Sequence, residues 1–318
     1  ILENYAQLVE TKDEKTGKKK KTQIWPRHHQ LDVVRRLLSD AAEHGAGKRY
    51  LIQHSAGSGK SNSIAWLAHQ LIGIEKDDSP AFASIIVVTD RRILDKQIRE
   101  TIKQYAQVGA TVGAVTGDGS SKKKQLSAFL AAGKKLIIST VQTFPHILDE
   151  IGNEQRGQNF AIIIDEAHSS QGGRTSSAMA QALSEAGEVS EDETYEDQIN
   201  RLMESRKLLP NASYFAFTAT PKNKTLEIFG TPAPQADGTV KHCAFHTYSM
   251  KQAIQEGFIL DVLAHYTPVE SYYKLAKVVE DDPEFDTKKA RKKLRRFVEG
   301  NEHAIRLKAE IMIDHSAS

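Results

Sequence analysis

Three short stretches of this chain carry residue types that together can hold and cut a polyphosphate. The first, Gln53-His54-Ser55-Ala56-Gly57-Ser58-Gly59-Lys60-Ser61, joins an apolar run, Tyr50-Leu51-Ile52, to a stretch with helical periodicity, Ile64-Ala65-Trp66-Leu67. Main-chain N–H groups at the start of a helix point at an anion, and glycines let the chain approach it with no Cβ in the way. In such a cradle Ala56, Gly57, Ser58 and Gly59 line the loop, Lys60 reaches the β- and γ-phosphates, and the Ser61 hydroxyl ligates Mg²⁺. The second stretch, Ile162-Ile163-Ile164-Asp165-Glu166-Ala167-His168, is an apolar run ending in two adjacent carboxylates. Asp165 is suited to hold Mg²⁺ through its water shell, and Glu166 to polarise the water that attacks the γ-phosphate. The third, Phe217-Thr218-Ala219-Thr220-Pro221, would end a neighbouring strand with two hydroxyls near those carboxylates. Each stretch alone has a plainer reading: a glycine turn, a surface acidic pair, a turn with Pro suited to the first helical position. Their conjunction favours the phosphate site, although His54 stands where the general loop pattern has its first glycine.

The elements that must position these residues are legible as apolar, β-branched runs at 51–54, 85–89, 111–115, 136–139, 161–164 and 214–217, with helical stretches between most of them. Strands alternating with helices predict an α/β fold, a parallel sheet with helices on both faces. Ile85-Ile86-Val87-Val88 and Ile162-Ile163-Ile164 are apolar at consecutive positions, as strands buried on both faces require. In such sheets ligands lie beyond the carboxyl ends of the strands, which brings both acidic side chains beside the phosphates. Three stretches interrupt the rhythm. Residues 12–22 hold no apolar side chain and read as an exposed loop or hairpin tip, solvated in preference to phosphate-bound. Residues 185–197 are acidic, without strand signal, and read as a surface insertion. The basic run KKARKKLRRF at 288–297 precedes an amphipathic pattern through Ile305, Ile311 and Ile313; its lysines suit solubility at least as well as DNA.

Composition bounds the rest. With 318 residues, 39% hydrophobic and 26% charged, the chain has the profile of a globular protein with a substantial core. No apolar run approaches the roughly 20 residues of a membrane span. The single cysteine, Cys243, cannot form an internal disulfide, and a cytoplasmic location is expected. The net charge of +2 leaves any nucleic-acid binding to local patches.

Read in order, Ala56-Gly57-Ser58-Gly59-Lys60-Ser61, Asp165-Glu166-Ala167-His168 and Thr218-Ala219-Thr220-Pro221 resemble motifs I, II and III of the superfamily 2 helicases and translocases. The resemblance implies a RecA-like P-loop NTPase lobe using ATP and Mg²⁺. In that family the third motif couples nucleotide state to nucleic-acid grip, which gives His168, Thr218 and Thr220 a coupling role. Arg27-His28-His29-Gln30 resembles the glutamine motif that reads adenine, so Arg27 and Gln30 join the expected nucleotide site; an amide has the donor and acceptor that adenine's N6 and N7 edge needs. Val88-Thr89-Asp90-Arg91-Arg92 looks like motif Ia and Ser139-Thr140-Val141-Gln142-Thr143-Phe144 like motif Ib, implying backbone-phosphate contacts by Thr89, Arg91, Thr140 and Gln142.

Within the superfamily, the wording of these stretches and of Tyr248-Ser249-Met250-Lys251-Gln252-Ala253-Ile254-Gln255-Glu256-Gly257-Phe258-Ile259-Leu260-Asp261 resembles the motor subunit of type I restriction enzymes, HsdR. That implies double-stranded DNA as track, with specificity and methyltransferase subunits as partners. It also implies an organisation: 1–24 a linker from a preceding nuclease region, 25–261 the first RecA-like lobe, 262–318 a connector with the basic helix. No motif IV, V or VI and no spaced acidic nuclease pattern is present, so the chain reads as a piece of a longer protein that binds Mg-ATP and turns it over poorly. Rival readings are a type III restriction or DEAH-type RNA helicase lobe and a nucleotide-gated DNA-binding module without turnover.

Overall fold

The computed structural model describes residues 2–12, 19–89, 112–115, 120–165, 199, 200, 203, 209–235, 238–261 and 306. The chain divides into two compact units, 1–259 and 260–318. In the second, Leu260, Asp261 and Arg306 are described, so the basic run at 288–297 lies outside the described residues, as does the acidic stretch at 185–197.

The first unit opens with a turn of helix, Leu2–Tyr5, and an antiparallel ribbon of β1 (Gln7–Lys12) and β2 (Lys19–Ile24). The segment expected as an apolar-free loop is thus partly strand, with its tip, 13–18, outside the described residues. There follow α1 (His28–His44), β3 (Arg49–His54), α2 (Lys60–Leu71), β4 (Ser84–Thr89), β5 (Val112–Ala114), α3 (Ser120–Ala131), β6 (Leu136–Thr140), α4 (Phe144–Asp149) and β7 (Phe160–Ile164). After these come β8 (Ala212–Thr218), α5 (Asn223–Phe229), an antiparallel pair β9 (Thr231–Pro234) and β10 (Val240–Cys243), β11 (His246–Tyr248) and α6 (Met250–Gln255). Seven strands form one sheet in the order β11-β3-β8-β7-β4-β6-β5, with every pairing parallel. All six expected strands are present, and β11 adds an edge the sequence did not announce.

Consecutive residues of a strand face opposite sides, and here both sides are buried, which is why the strands read as unbroken apolar runs. Leu51, Ile86, Val88, Ile162 and Ile164 join one core with Leu126, Phe144 and Ile147. Tyr50, Ile52, Ile85, Val87 and Ile163 join the other with α1 and α2. Helix α1 meets its core through Val33, Val34, Leu37 and Ala41, all fully buried and spaced for one helical face. Helix α2 is buried at every position from Ser63 to Ala68, so it lies between the sheet and α1, not at the surface. Trp66 at its centre donates its indole N–H to the Tyr5 carbonyl at 3.2 Å, with the two rings 6.1 Å apart. Tyr5, from the segment expected as a linker, is thereby part of this core.

Register brings the strand ends level. Thr218 pairs with Gln53, Ile164 with both Ala216 and Val88, and Thr89 with Thr140. The loop after β3, the carboxylate after β7 and the threonine ending β8 therefore share one edge, with β8 between the other two.

Candidate functional site

The loop after β3 is shaped by two glycines that only glycine suits. Gly57 and Gly59 have φ of +75° and +78°, in the left-handed region. A Cβ on Gly59 would lie 2.6 Å from Gln30 Nε2, and one on Gly57 would lie 2.9 Å from Ile259 Cγ2. The loop is also held from the side by α1. Gln30 Nε2 donates to the Gly59 carbonyl at 2.9 Å and to that of Ser58 at 3.4 Å, while its Oε1 accepts the Arg27 N–H at 2.9 Å. The amide expected to read adenine is thus turned onto main chain and is 3% exposed. It fastens the loop to the start of α1, and both its N–H groups are committed there.

Lys60 opens α2 with its ammonium folded back into the loop, 3.4 Å from the Ser55 carbonyl and 3.5 Å from that of His54. Triphosphate oxygens would offer a buried ammonium shorter, charge-assisted contacts than these two. Ser55 and Ser58 are buried with hydroxyls that have no hydrogen-bond partner among the described residues. Ala56 is exposed and Ser61 half-buried. Asp165, 3% exposed, follows β7 with its N–H donated to the Val88 carbonyl at 2.9 Å. A buried ammonium, a hydroxyl at a helix start, orphan hydroxyls and a carboxylate at the next-but-one strand end fit a polyphosphate with Mg²⁺. No cluster of three His, Cys, Asp or Glu that could cage a metal occurs among the described residues.

The remaining expected residues divide. Thr218 is fully buried and Thr220 exposed. Thr89 is fully buried at the end of a central strand, so its hydroxyl is removed from the surface where a DNA phosphate would lie. Thr140 is nearly buried, with Lys122 Nζ 3.5 Å from its Oγ1. Glu166, His168, Arg91 and the side chain of Gln142 lie outside the described residues.

Sequence reading missed a histidine network beneath the loop. His54, fully buried, has its Nε2 2.8 Å from His246 Nδ1, and His246 Nε2 lies 3.1 Å from Asp32 Oδ2. Since a carboxylate only accepts, the neutral rings are ordered: His54 donates to His246, which donates to Asp32. His29 stacks on Tyr248, with centroids 3.7 Å apart, and donates to the Ser58 carbonyl at 3.0 Å. Burial lowers the pKa of all three histidines. His54 is pushed down to about 2, with His246, His29 and Lys60 adding repulsion, and for His246 the Asp32 carboxylate opposes the shift.

A histidine with a folded pKa below its unfolded value of about 6.5 takes up its proton preferentially in the unfolded chain. Stability is therefore complete above that pH and falls as pH drops below it, by up to ~1.4 kcal/mol per histidine per pH unit. Urea unfolding should show a loss of ~2–4 kcal/mol between pH 7.5 and 5.5, and His54→Gln should remove about a third of it. Equal stability at the two pH values would contradict this description of the network.

A glycine-bent loop between strand and helix, with a lysine and serine at its end and an aspartate two strands away, defines a P-loop nucleotide-binding lobe of the α/β class. A family profile described as SWI2/SNF2 ATPase matches residues 29–295, and the chain belongs to that family. It is 25% identical over 270 residues to the type I restriction enzyme SauMSSORF170P endonuclease subunit of Staphylococcus aureus (strain MSSA476), covering 80% of this chain and 23% of the relative. It is 31% identical over 199 residues to the type I restriction enzyme HindI endonuclease subunit of Haemophilus influenzae, covering 59% of this chain and 17% of the relative. The chain thus spans about a quarter or less of the length of these curated relatives. Among solved structures, the Type ISP restriction-modification enzyme LlaBIII bound to DNA superposes with a TM-score of 0.44 at 15% identity, over 79% of this chain and 17% of that one. A nuclease-deletion mutant of LlaGI with a DNA substrate mimic gives 0.44 and 15%, over 83% and 23%. No helix among the described residues is long and apolar enough to cross a membrane.

Proposed function

We propose that this chain is the ATP-binding motor lobe of a type I restriction endonuclease subunit, which drives translocation on double-stranded DNA before cleavage by a separate nuclease domain. The observation that carries the proposal is the meeting of the loop, Asp165 and Thr218 at the carboxyl ends of strands β3, β7 and β8. The relatives named as type I restriction enzyme endonuclease subunits support DNA as the track; specificity and methyltransferase subunits are the partners this reading expects.

In this reading the loop N–H groups from Gly57 to Ser61 bind the β-phosphate, and Lys60 reaches the β- and γ-phosphates. Ser61 and Asp165 hold Mg²⁺, which when bound neutralises charge on the phosphate oxygens. Glu166 orients and deprotonates the attacking water. Thr218, between loop and carboxylate, senses the change in phosphate occupancy and Thr220 passes it toward the nucleic acid, together with His168. Arg91, Gln142 and Thr140 take backbone phosphates, positioning without reading sequence.

The test is ATP hydrolysis by the enzyme assembled with its partner subunits, given linear duplex DNA or RNA, with Lys60→Ala as control. Stimulation by duplex DNA alone, abolished in Lys60→Ala, is the expected result. Stimulation by RNA would move the assignment to an RNA helicase, and none by either polymer to a nucleotide-gated module.

A further inference from the structure

The ribbon of β1 and β2 is a sheet of its own, unpaired with the seven parallel strands. Its roots lie in the core beside α1 and α2. Tyr5, two residues before β1, is buried in that core, and Ile24, the last residue of β2, packs against it. Beyond the roots the chain no longer covers it: Lys21, Thr22 and Gln23 are consecutive in β2 and all exposed. Successive strand residues face opposite sides, so at this point both faces of the ribbon are open. A two-stranded ribbon with no covered face is marginally stable in water, and a partner laid on it adds to its stability.

The charge of the ribbon indicates the partner. The two strands hold Lys12, Lys19, Lys20 and Lys21 against a single acid, Glu10, a charge of +3 where the whole chain carries +2. Register sharpens the excess. Lys12 stands opposite Lys19, Thr11 opposite Lys20, and Glu10 opposite Lys21, so two of the three lysines of β2 face no acid across the ladder. Like charges directly opposite on paired strands are destabilising. In a loop the same lysines could spread into solvent; a ladder holds its two strands about 5 Å apart, and a polyanion offsets the repulsion. The open positions of β2 are Lys, Thr and Gln, which give a bilayer no apolar face to bury. Trp25, directly after β2, is 47% exposed and sets an aromatic surface beside the lysines.

We propose that the β1–β2 ribbon is a DNA-binding arm that enters the major groove of a duplex, with Lys19, Lys20 and Lys21 on the phosphates that border it. The major groove of B-DNA, about 12 Å wide, admits a two-stranded ribbon, whereas that of A-form RNA is too narrow. Contacts to phosphate position the protein without reading sequence. None of the ribbon's residues belongs to the phosphate site, so its grip on DNA is expected without nucleotide. The inference rests on the DNA-track reading above for the choice of DNA among polyanions, and adds to it a contact from a segment that none of the motifs includes.

Anisotropy of a labelled DNA duplex, titrated with the 318-residue chain over a range of salt and without nucleotide, tests the arm. Replacing all three lysines, Lys19→Gln, Lys20→Gln and Lys21→Gln, should weaken binding at least about tenfold at low salt and flatten the slope of log affinity against log salt by about 2 to 3. Arginine at the same three positions keeps the charge and should hold affinity within about threefold of wild type. The chain has two tryptophans, of which Trp66 is fully buried, so intrinsic fluorescence should change on adding DNA and the change should vanish in Trp25→Phe. Unchanged affinity and slope in the glutamine variant, with wild type still binding DNA, overturns the arm and leaves the track reading standing. An equal loss in the arginine variant, or a fluorescence change that persists in Trp25→Phe, overturns it as well. Duplex RNA, or vesicles of anionic phospholipid, bound more tightly than duplex DNA would overturn the choice of partner. Failure of the wild-type chain to bind duplex DNA at low salt removes the arm, and DNA-stimulated hydrolysis by the assembled enzyme then decides the track reading by itself.

Discussion

Lys60→Ala is expected to weaken Mg-ATP binding by at least about thirtyfold, the equivalent of ~2 kcal/mol or more for truncating one member of a desolvated charge pair. Lys60 is 8% exposed, with its ammonium 3.4 and 3.5 Å from two loop carbonyls. Triphosphate oxygens offer it shorter, charge-assisted bonds than these carbonyls do. Lys60→Arg should lose affinity as well, because a planar fork cannot follow the same path out of a closed loop as a compact ammonium. Displacement of a fluorescent ATP analogue reads the effect. Affinity within about twofold of wild type in Lys60→Ala would mean that the loop does not hold phosphates as described.

Trp66→Ala should be the most damaging single truncation in the core, costing ~3–5 kcal/mol in urea unfolding. The side chain is fully buried in α2, between the sheet and α1, where neighbours on all sides prevent collapse into the space. Its indole N–H also holds the Tyr5 carbonyl. Because α2 begins with Lys60 and Ser61, a shift of that helix moves the phosphate site, so nucleotide affinity should fall together with stability. Trp66→Phe, which keeps a ring but not the N–H, should recover about half of the loss. A cost below ~1 kcal/mol for Trp66→Ala would contradict the tight enclosure of α2.

The sheet was legible because its strands are buried on both faces, which leaves runs such as Ile162-Ile163-Ile164 no polar alternation to confuse with a helix. Strand β11 escaped because it is three residues, His246-Thr247-Tyr248, at the sheet edge, with polar types at two of them. The start of helix α1 depends on Gln30 accepting the Arg27 N–H, which no local pattern distinguishes from an amide aimed at a base. The histidine network has the same origin. His54 could be noticed as a departure from glycine, yet its partner lies 192 residues away, and Asp32 is 214 residues from His246. Thr89, whose chemistry suits a phosphate, is fully buried at the end of a central strand, which its type alone does not announce. Spacing reports which groups share an edge of the sheet. It does not report which way each side chain turns once neighbouring elements compete for it.

The central claim is that the carboxyl edge of this sheet binds a nucleotide through the loop and Mg²⁺ through Ser61 and Asp165. Calorimetric titration of the wild-type chain and of Asp165→Asn with ATP, with and without Mg²⁺, tests it most directly. One site per chain is expected, at least about tenfold tighter with Mg²⁺ in the wild type, with loss of that metal-dependent gain alone in Asp165→Asn. Binding that ignores Mg²⁺ in the wild type, or a gain from Mg²⁺ that survives in Asp165→Asn, would contradict it.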